Sequence, residues 1–332
     1  MRQPCGCCRT YGHLTPDALG LALTHRSGCL HRCSLEPAAL PAFLHEAVSC
    51  HRDNAFHNSW HVTDVLHAVS VLLATAPGAL TTRLPPEDVL SLLLAALCHD
   101  LDHPGLSNGY CRASNHVLAA QHGTISVLEK HHASVAATLL HSPAGIALLA
   151  PCPAAVRDRV LDLVPRLILA TDIELNASYC AAFADAVAAE DPSCGWVDDL
   201  AKREAFLSMV LKVADISNVA KPWPLALRWA ELLKVEHLLL AERERQAGLP
   251  PTAFLSAPMA GMCKGFILGL AGPMIRSLGA ALPWVTKVAV PLMEANVEHW
   301  SSEAEGVCPP ERPTITGTPL ECVAALHQVS VA

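Results

Sequence analysis

Apolar residues recur at three- and four-residue intervals along most of the chain, and no stretch alternates in the two-residue rhythm of strands joined by hairpin turns. Pro85, Pro86, Glu87 and Asp88 make a helix start: proline suits the first turn, and the acids face the positive end of the dipole. Val89 to Cys98 follow as a nearly unbroken apolar run, which predicts a helix buried on most sides. Asp198 and Asp199 open another helix through Phe206, Met209, Val210 and Val213. Trp223 to Gln246 reads as a long amphipathic helix, with Leu225, Trp229, Leu232, Leu233 and Leu239 on its apolar face and a solvated end at Glu242, Arg243, Glu244 and Arg245. Gly248 to Pro258, rich in Pro, Ala and Ser, reads as a loop. The pattern predicts an all-α fold: one compact multi-helix domain over residues 35–303, flanked by weakly structured ends at 1–34 and 304–332, with no internal repeat.

Composition narrows the classes of function. The chain has 332 residues, 52% hydrophobic and 16% charged, so it can bury a sizeable core. A formal net charge of -8 argues against a nucleic-acid surface. The most apolar stretches are Val65–Leu80 and Gly265–Met293. His67 and Pro77 break the first, and Pro273, Arg276, Pro283 and Lys287 break the second, so neither offers the ~18 apolar residues of a transmembrane helix. The N-terminus lacks the apolar core of a secretory signal, and a soluble cytoplasmic protein is expected. Most of the 14 cysteines lie singly in apolar segments, where the usual role is a small buried hydrophobe. Cys5, Cys7 and Cys8 cluster near the N-terminus, where acylation would tether the chain to a membrane; the sequence disfavours that reading.

The chemistry sits in five short clusters. In Phe56-His57-Asn58-Ser59-Trp60-His61-Val62-Thr63-Asp64, a helix would place His57 and His61 on one face. They could share a metal, or one could ligate while the other handles protons; alone, the spacing favours ordinary surface histidines. Cys98-His99-Asp100-Leu101-Asp102-His103-Pro104-Gly105 is stronger, because acids and imidazoles ending a buried helix are costly unless paired or metal-bound. Val127-Leu128-Glu129-Lys130-His131-His132, Ala170-Thr171-Asp172 and Ala214-Asp215-Ile216-Ser217-Asn218 complete a series of His, His-Asp and distant Asp, all delivered from helices. Such a series follows the ligand logic of HD-type metal phosphohydrolases.

On these residues the chain resembles the class I 3′,5′-cyclic-nucleotide phosphodiesterases from about Leu35 to Trp300. The stretch from Phe56 to Val65 is similar to the family's Tyr-His-Asn-x-x-His-Ala-x-Asp-Val, and the stretch from His99 to Asn108 to its His-Asp-x-Asp-His-x-Gly-x-x-Asn. The remaining clusters, with Gly265-Phe266-Ile267, fall in family order, and Trp229 takes the place of a tryptophan typical of the helix that follows. The resemblance implies a two-metal site in a central pocket that converts cAMP or cGMP to the 5′-monophosphate in cyclic-nucleotide signalling. His61, His99, Asp100 and Asp215 would hold zinc, and Asp100 would bridge to a magnesium or manganese ion. His103, Glu129, His132 and Thr171 would position waters, with Asp172 as outer support. His57, without a metal, would protonate the leaving 3′ oxygen. The base would lie between Phe266 and a wall including Leu233 and Ile216, with Asn218 bonding its edge. The implied partners are a cyclic nucleotide and, at most, a second copy in a homodimer.

The sequence also departs from the family. Cys263 stands where a glutamine normally bonds the purine edge, and the nearest upstream glutamine is Gln246. Cysteine is a poor donor and acceptor, which predicts weaker affinity and looser cAMP/cGMP selectivity. Phe56 and Ala226 replace tyrosines, and Ile173-Glu174-Leu175-Asn176 diverges after Asp172. Two alternatives follow: an HD-type enzyme acting on another phosphoester, or a nucleotide-binding pseudoenzyme. The intact metal residues weigh against the latter.

Overall fold

The computed structural model describes residues 28–187 and 194–304; Cys5, Cys7, Cys8 and the 305–332 tail lie outside the described residues. No strand occurs among the described residues. The longer helices are α1 (Leu40–Ser49), α2 (Ser59–Ala74), α3 (Pro86–Cys98), α4 (Val127–Leu140), α5 (Ala154–Leu169), α6 (Asn176–Val187), α7 (Leu200–Asp215), α8 (Trp223–Gln246), α9 (Met259–Phe266), α10 (Gly272–Leu278) and α11 (Val290–Ala304). Short helical turns join them.

Two helices form the centre. In α3, Leu90 to Cys98 are buried without a break, and in α7 Phe206 to Ala214 are. Helix α3 packs on α5 and α2, and α7 packs on α6 and α2. Both starts match the sequence expectation, with Pro85 and Asp199 as caps, and Asp199 accepts the Lys202 amide. Asp88 is not a solvated first-turn acid. It is fully buried, and one oxygen takes Arg159 Nε while the other takes Arg203 Nε, each at 2.6 Å. One carboxylate therefore ties α3 to α5 and α7.

Two expectations need correction. The packed core starts upstream of residue 35, because Cys29, the first residue of a short helix at Cys29–Arg32, and Cys33, which caps its end, are fully buried. In α8 the helix bounds hold and Leu225 and Trp229 are buried as expected, but the apolar face does not run its whole length. Leu239 is 58% exposed, whereas Glu236 and Glu244 are buried. Glu244 lies in the stretch expected to be solvated; its carboxylate instead accepts Thr252 Oγ1 at 2.6 Å and the Thr252 amide at 2.9 Å. That bond folds back the Gly248–Pro258 connection, which includes a turn of helix at Ala253–Ser256. The described cysteines are all free thiols. No single described helix is long and apolar enough to cross a membrane; one pair, Val127–Leu140 and Pro143–Leu149, reaches the length together but is bent by 70°.

Candidate metal centre

The first histidine pair is arranged by a helix cap. Asn58 Oδ1 accepts the Trp60 and His61 amides at 2.9 and 3.2 Å, so α2 begins at Ser59. His57 thus precedes the helix, and the expected one-turn relation between His57 and His61 does not hold. The cap ends the helix between them and aims each ring separately, leaving their centroids 5.7 Å apart. His61 faces inward from the first turn and is buried.

His99 and Asp100 follow the last residue of α3. His99 Nδ1 donates to the Ala96 carbonyl at 3.0 Å, which leaves the Nε2 lone pair for a ligand. The chain then turns sharply, with Asp102 at φ 57° and Gly105 at φ 66°. A Cβ on Gly105 would stand 3.0 Å from Asn54 Oδ1, so glycine answers both the backbone angle and the close approach. Asn54 Nδ2 donates to the carbonyls of His57 and His103, joining the first motif to the second.

Asp215, the last residue of α7, completes the group. Its Oδ1 lies 3.0 Å from His61 Nε2 and 3.3 Å from His99 Nε2. Asp100 Oδ2 lies 3.4 Å from each of the same two nitrogens. One ligand atom from each of His61, His99, Asp100 and Asp215 falls within 4.8 Å of all the others. Asp100 Oδ2 is buried and has no hydrogen-bond partner. A buried orphan carboxylate oxygen is costly by itself, and a cation removes that cost. Two imidazole nitrogens with two carboxylate oxygens form a donor set that suits a divalent metal. Burial opposes charge on both acids, but the surrounding imidazoles, His99 foremost, outweigh it and hold both below the ordinary carboxylate range.

Beside this group lies a histidine stack. The His57 and His103 rings are 4.1 Å apart at 19°, and His103 and His132 are 5.4 Å apart at 20°. His103 Nδ1 accepts the Gly105 amide at 3.1 Å, so its Nε2 carries the proton. His132 is the reverse: Nδ1 donates to the Leu101 carbonyl at 2.8 Å, and Nε2, 3.8 Å from Asp100 Oδ1, is left as an acceptor. Burial keeps both neutral, with His132 lowered to about 4 and His103 well below the ordinary value.

Glu236, from α8, was not singled out from the sequence. Its carboxylate accepts the Phe56 and His57 amides at 2.9 and 3.2 Å and hydrogen-bonds His57 Nδ1. Burial disfavours a charged His57, but Glu236 overrides it, with smaller help from Asp100 and Asp215, and lifts the imidazole to about 9. Burial likewise opposes charge on Glu236, and His57 outweighs it, taking the acid down to about 2. A lone acid near an apolar face of α8 was the available signal, but its partner lies 179 residues upstream.

The outer residues divide by partner. Glu129 takes Asn108 Nδ2 at 3.0 and 3.2 Å, and burial pushes it up to about 7. Asp172 is fully buried and committed to Ser126 Oγ at 2.6 Å and the Glu174 amide at 2.7 Å, which keeps it off the metal group. The Thr171 hydroxyl donates to the Ile168 carbonyl at 2.8 Å. Buried Lys212, also missed from sequence, donates to the Ala170 and Asp172 carbonyls at 2.8 and 3.0 Å and so pins the Thr171–Asp172 turn. Asn218 lies in a turn, Ser217–Ala220, that packs against α8, as does α9 with Cys263 and Phe266; Ile216 is buried, and Leu233, Asn218, Cys263 and Phe266 are each half-buried.

A family model described as 3'5'-cyclic nucleotide phosphodiesterase matches residues 56–292. Among curated proteins, the chain is 30% identical over 290 residues to a "cGMP-specific 3',5'-cGMP phosphodiesterase 3" of Dictyostelium discoideum, covering 85% of this chain and 60% of that protein. It is 33% identical over 230 residues to a "3',5'-cyclic-AMP phosphodiesterase 4C" of Mus musculus, covering 68% and 33%. It is 30% identical over 284 residues to a "High affinity cGMP-specific 3',5'-cyclic phosphodiesterase 9A" of Mus musculus, covering 83% and 51%. The chain thus spans 60% or less of each of these relatives. Among solved structures, the phosphodiesterase domain of a RhoPDE fusion protein from the choanoflagellate Salpingoeca rosetta is similar, with a TM-score of 0.82 and 25% identity, over 88% of this chain and 91% of that one.

Proposed function

We propose that this chain, which belongs to the 3'5'-cyclic nucleotide phosphodiesterase family, hydrolyses a 3′,5′-cyclic purine nucleotide to the 5′-monophosphate in cyclic-nucleotide signalling. The observation that carries this reading is the convergence of four ligand side chains around the unpartnered Asp100 Oδ2, beside an imidazole that Glu236 keeps protonated. His61, His99, Asp100 and Asp215 would hold the first ion, for which mixed imidazole and carboxylate donors suit zinc. Asp100 would share a second ion, magnesium or manganese, in an oxygen-rich shell. Divalent ions at such a site supply Lewis acidity toward the phosphate and an activated water at neutral pH.

The chain's own residues carry the rest. His57 is bound to Glu236 through Nδ1, so Nε2–H is the proton it gives to the 3′ oxygen as that P–O bond breaks. Glu236 keeps the ring oriented throughout. His103 offers an Nε2–H donor and His132 an Nε2 acceptor, a complementary pair for orienting a water between them. Glu129, Thr171 and Asp172 support that side, and the Asn108, Ser126 and Lys212 bonds fix their positions. Phe266 would stack on the base opposite Leu233, and Asn218 would bond its edge. The relatives' names divide between cGMP and cAMP, so nucleotide preference has to be argued from this chain's own residues.

The test is hydrolysis of cAMP and cGMP by purified protein with zinc and magnesium, beside Asp215→Ala. Turnover lost in the variant is the expected result. No turnover of either nucleotide, with metal bound, would move the reading to another phosphoester or to a binding-only protein.

A further inference from the structure

Asn218 sits in the Ser217–Ala220 turn, three residues beyond Asp215 of the metal group. Of the residues expected around the base, Ile216, Leu233 and Phe266 are apolar, and Cys263 is a poor donor and acceptor. Asn218 is the one amide in that set. The turn that carries it does not hold itself. No side chain caps it, and Ser217 Oγ is buried without a hydrogen-bond partner.

The turn is held from outside, by Asn296 on α11. Asn296 Nδ2 donates to the Val219 carbonyl at 2.9 Å and to the Lys221 carbonyl at 2.8 Å, one on either side of Ala220. Two N–H groups meet two acceptors, which uses both hydrogens of the amide. Asn296 is 2% exposed, so water has little access to replace it. Lys221 Nζ in turn meets Asp64 at 2.6 Å, three residues after His61 on α2. The rest of the same face of α11 fixes the segment that follows. His299 and Trp300 lie three and four residues beyond Asn296. Trp223, the first residue of α8, stacks on His299 at 4.5 Å and 19° and meets Trp300 edge-on at 4.6 Å and 70°. Helix α11 also packs against α9, which carries Cys263 and Phe266. One helix thus backs both the turn with Asn218 and the helix with Phe266.

We propose that Asn296 is a positioning residue for base recognition: by clamping the Val219 and Lys221 carbonyls it sets where the Asn218 amide stands relative to Phe266. This rests on the cyclic-nucleotide reading above and on the place of Asn218 in it. Asn296 acts through the turn and touches no reacting group. Asp215 is carried by α7, and Lys221 keeps Asp64, so the metal group does not depend on the clamp. Loss of Asn296 should therefore weaken nucleotide binding and spare the phosphate chemistry.

The test is a double-mutant cycle of Asn296→Leu and Asn218→Ala, reading kcat and KM on whichever of cAMP and cGMP the wild type hydrolyses better. Each single variant should raise KM by about tenfold, the scale of one hydrogen bond. In Asn296→Leu, kcat should hold, as should hydrolysis of bis(p-nitrophenyl) phosphate, which has no base. The double variant should be no worse than Asn218→Ala alone, because the clamp has nothing left to position. Asn296→Ser keeps one donor in a smaller volume and reads the same cycle if Asn296→Leu does not fold. Multiplied losses in the double variant, or an equal fall on the base-free diester, would make Asn296 a structural tie only and overturn the proposal. An unchanged KM in the folded Asn296 variant overturns it as well. An unchanged KM in Asn218→Ala removes Asn218 from the base and the proposal with it, while turnover of the cyclic nucleotide leaves the cyclic-nucleotide reading standing. A wild type that hydrolyses neither nucleotide overturns that reading itself.

Discussion

His57 and Glu236 each move the other's ionisation, and the direction of each shift sets a pH window. His57 is raised to about 9, so its share of the pairing stability is complete below the ordinary imidazole value of about 6.5 and is lost as pH climbs through about 9. Glu236 is lowered to about 2, so its share is complete above about 4.3 and is lost as pH falls through about 2. As the proposed acid catalyst His57 must be protonated, so kcat/KM should fall on the alkaline side. Glu236→Gln removes the main stabiliser of the imidazolium and should shift that limb down by roughly one pH unit or more. A pH–rate profile of the two proteins checks it; an unmoved alkaline limb would remove Glu236 from its role. The four metal-group residues were legible in the sequence because their motifs resemble those of the family, whereas the histidine spacing alone favoured surface residues. Glu236, Asn54 and Lys212 were not. Each is a single polar residue whose meaning depends on a partner far along the chain or on backbone carbonyls, and neither leaves a local pattern.

At the scale of elements, helix existence followed from periodicity, and the bounds of α8, Trp223–Gln246, came from its amphipathic pattern. The inward side of α8 was readable at Leu225 and Trp229 but not toward its end, because Glu236 and Glu244 are buried on bonds to distant groups while Leu239 points outward. Asp88 shows the same effect. It looked like a dipole-facing acid and is instead the shared partner of Arg159 and Arg203. Asp88→Ala would leave two largely buried guanidinium groups without that carboxylate, and Arg159 would keep Glu204 and a longer contact to Asp162. The expected cost is about 3–5 kcal/mol. For a domain of this size that lowers Tm by roughly 2–4 °C per kcal/mol. Thermal unfolding would check it, and a shift of less than ~1 kcal/mol would show that the clamp adds little.

For the whole molecule, the metal group joins α2, the end of α3 and the end of α7, so binding there should stabilise the packing of all three. Ligand bound only by the native state at 100 times Kd adds ~2.7 kcal/mol. Chelation should therefore lower the Tm and zinc should restore it, while Asp215→Ala should show little response to either. A chelator-insensitive Tm in the wild type would argue against an ion at this site. The all-helical class and the single domain were readable from pattern alone, but the convergence of its parts was not, since His61 and Asp215 meet across 154 residues.

The position of Glu236 outside every recognisable motif has an evolutionary corollary. A duplicated copy that lost this one acid would keep all the histidines and aspartates by which such chains are identified, and could go on holding metal and nucleotide. It would have given up only the Glu236 grip on His57. Such a copy would work over a more acidic range rather than fall silent, so a drift in pH optimum among duplicated relatives can arise at a site that motif inspection never visits.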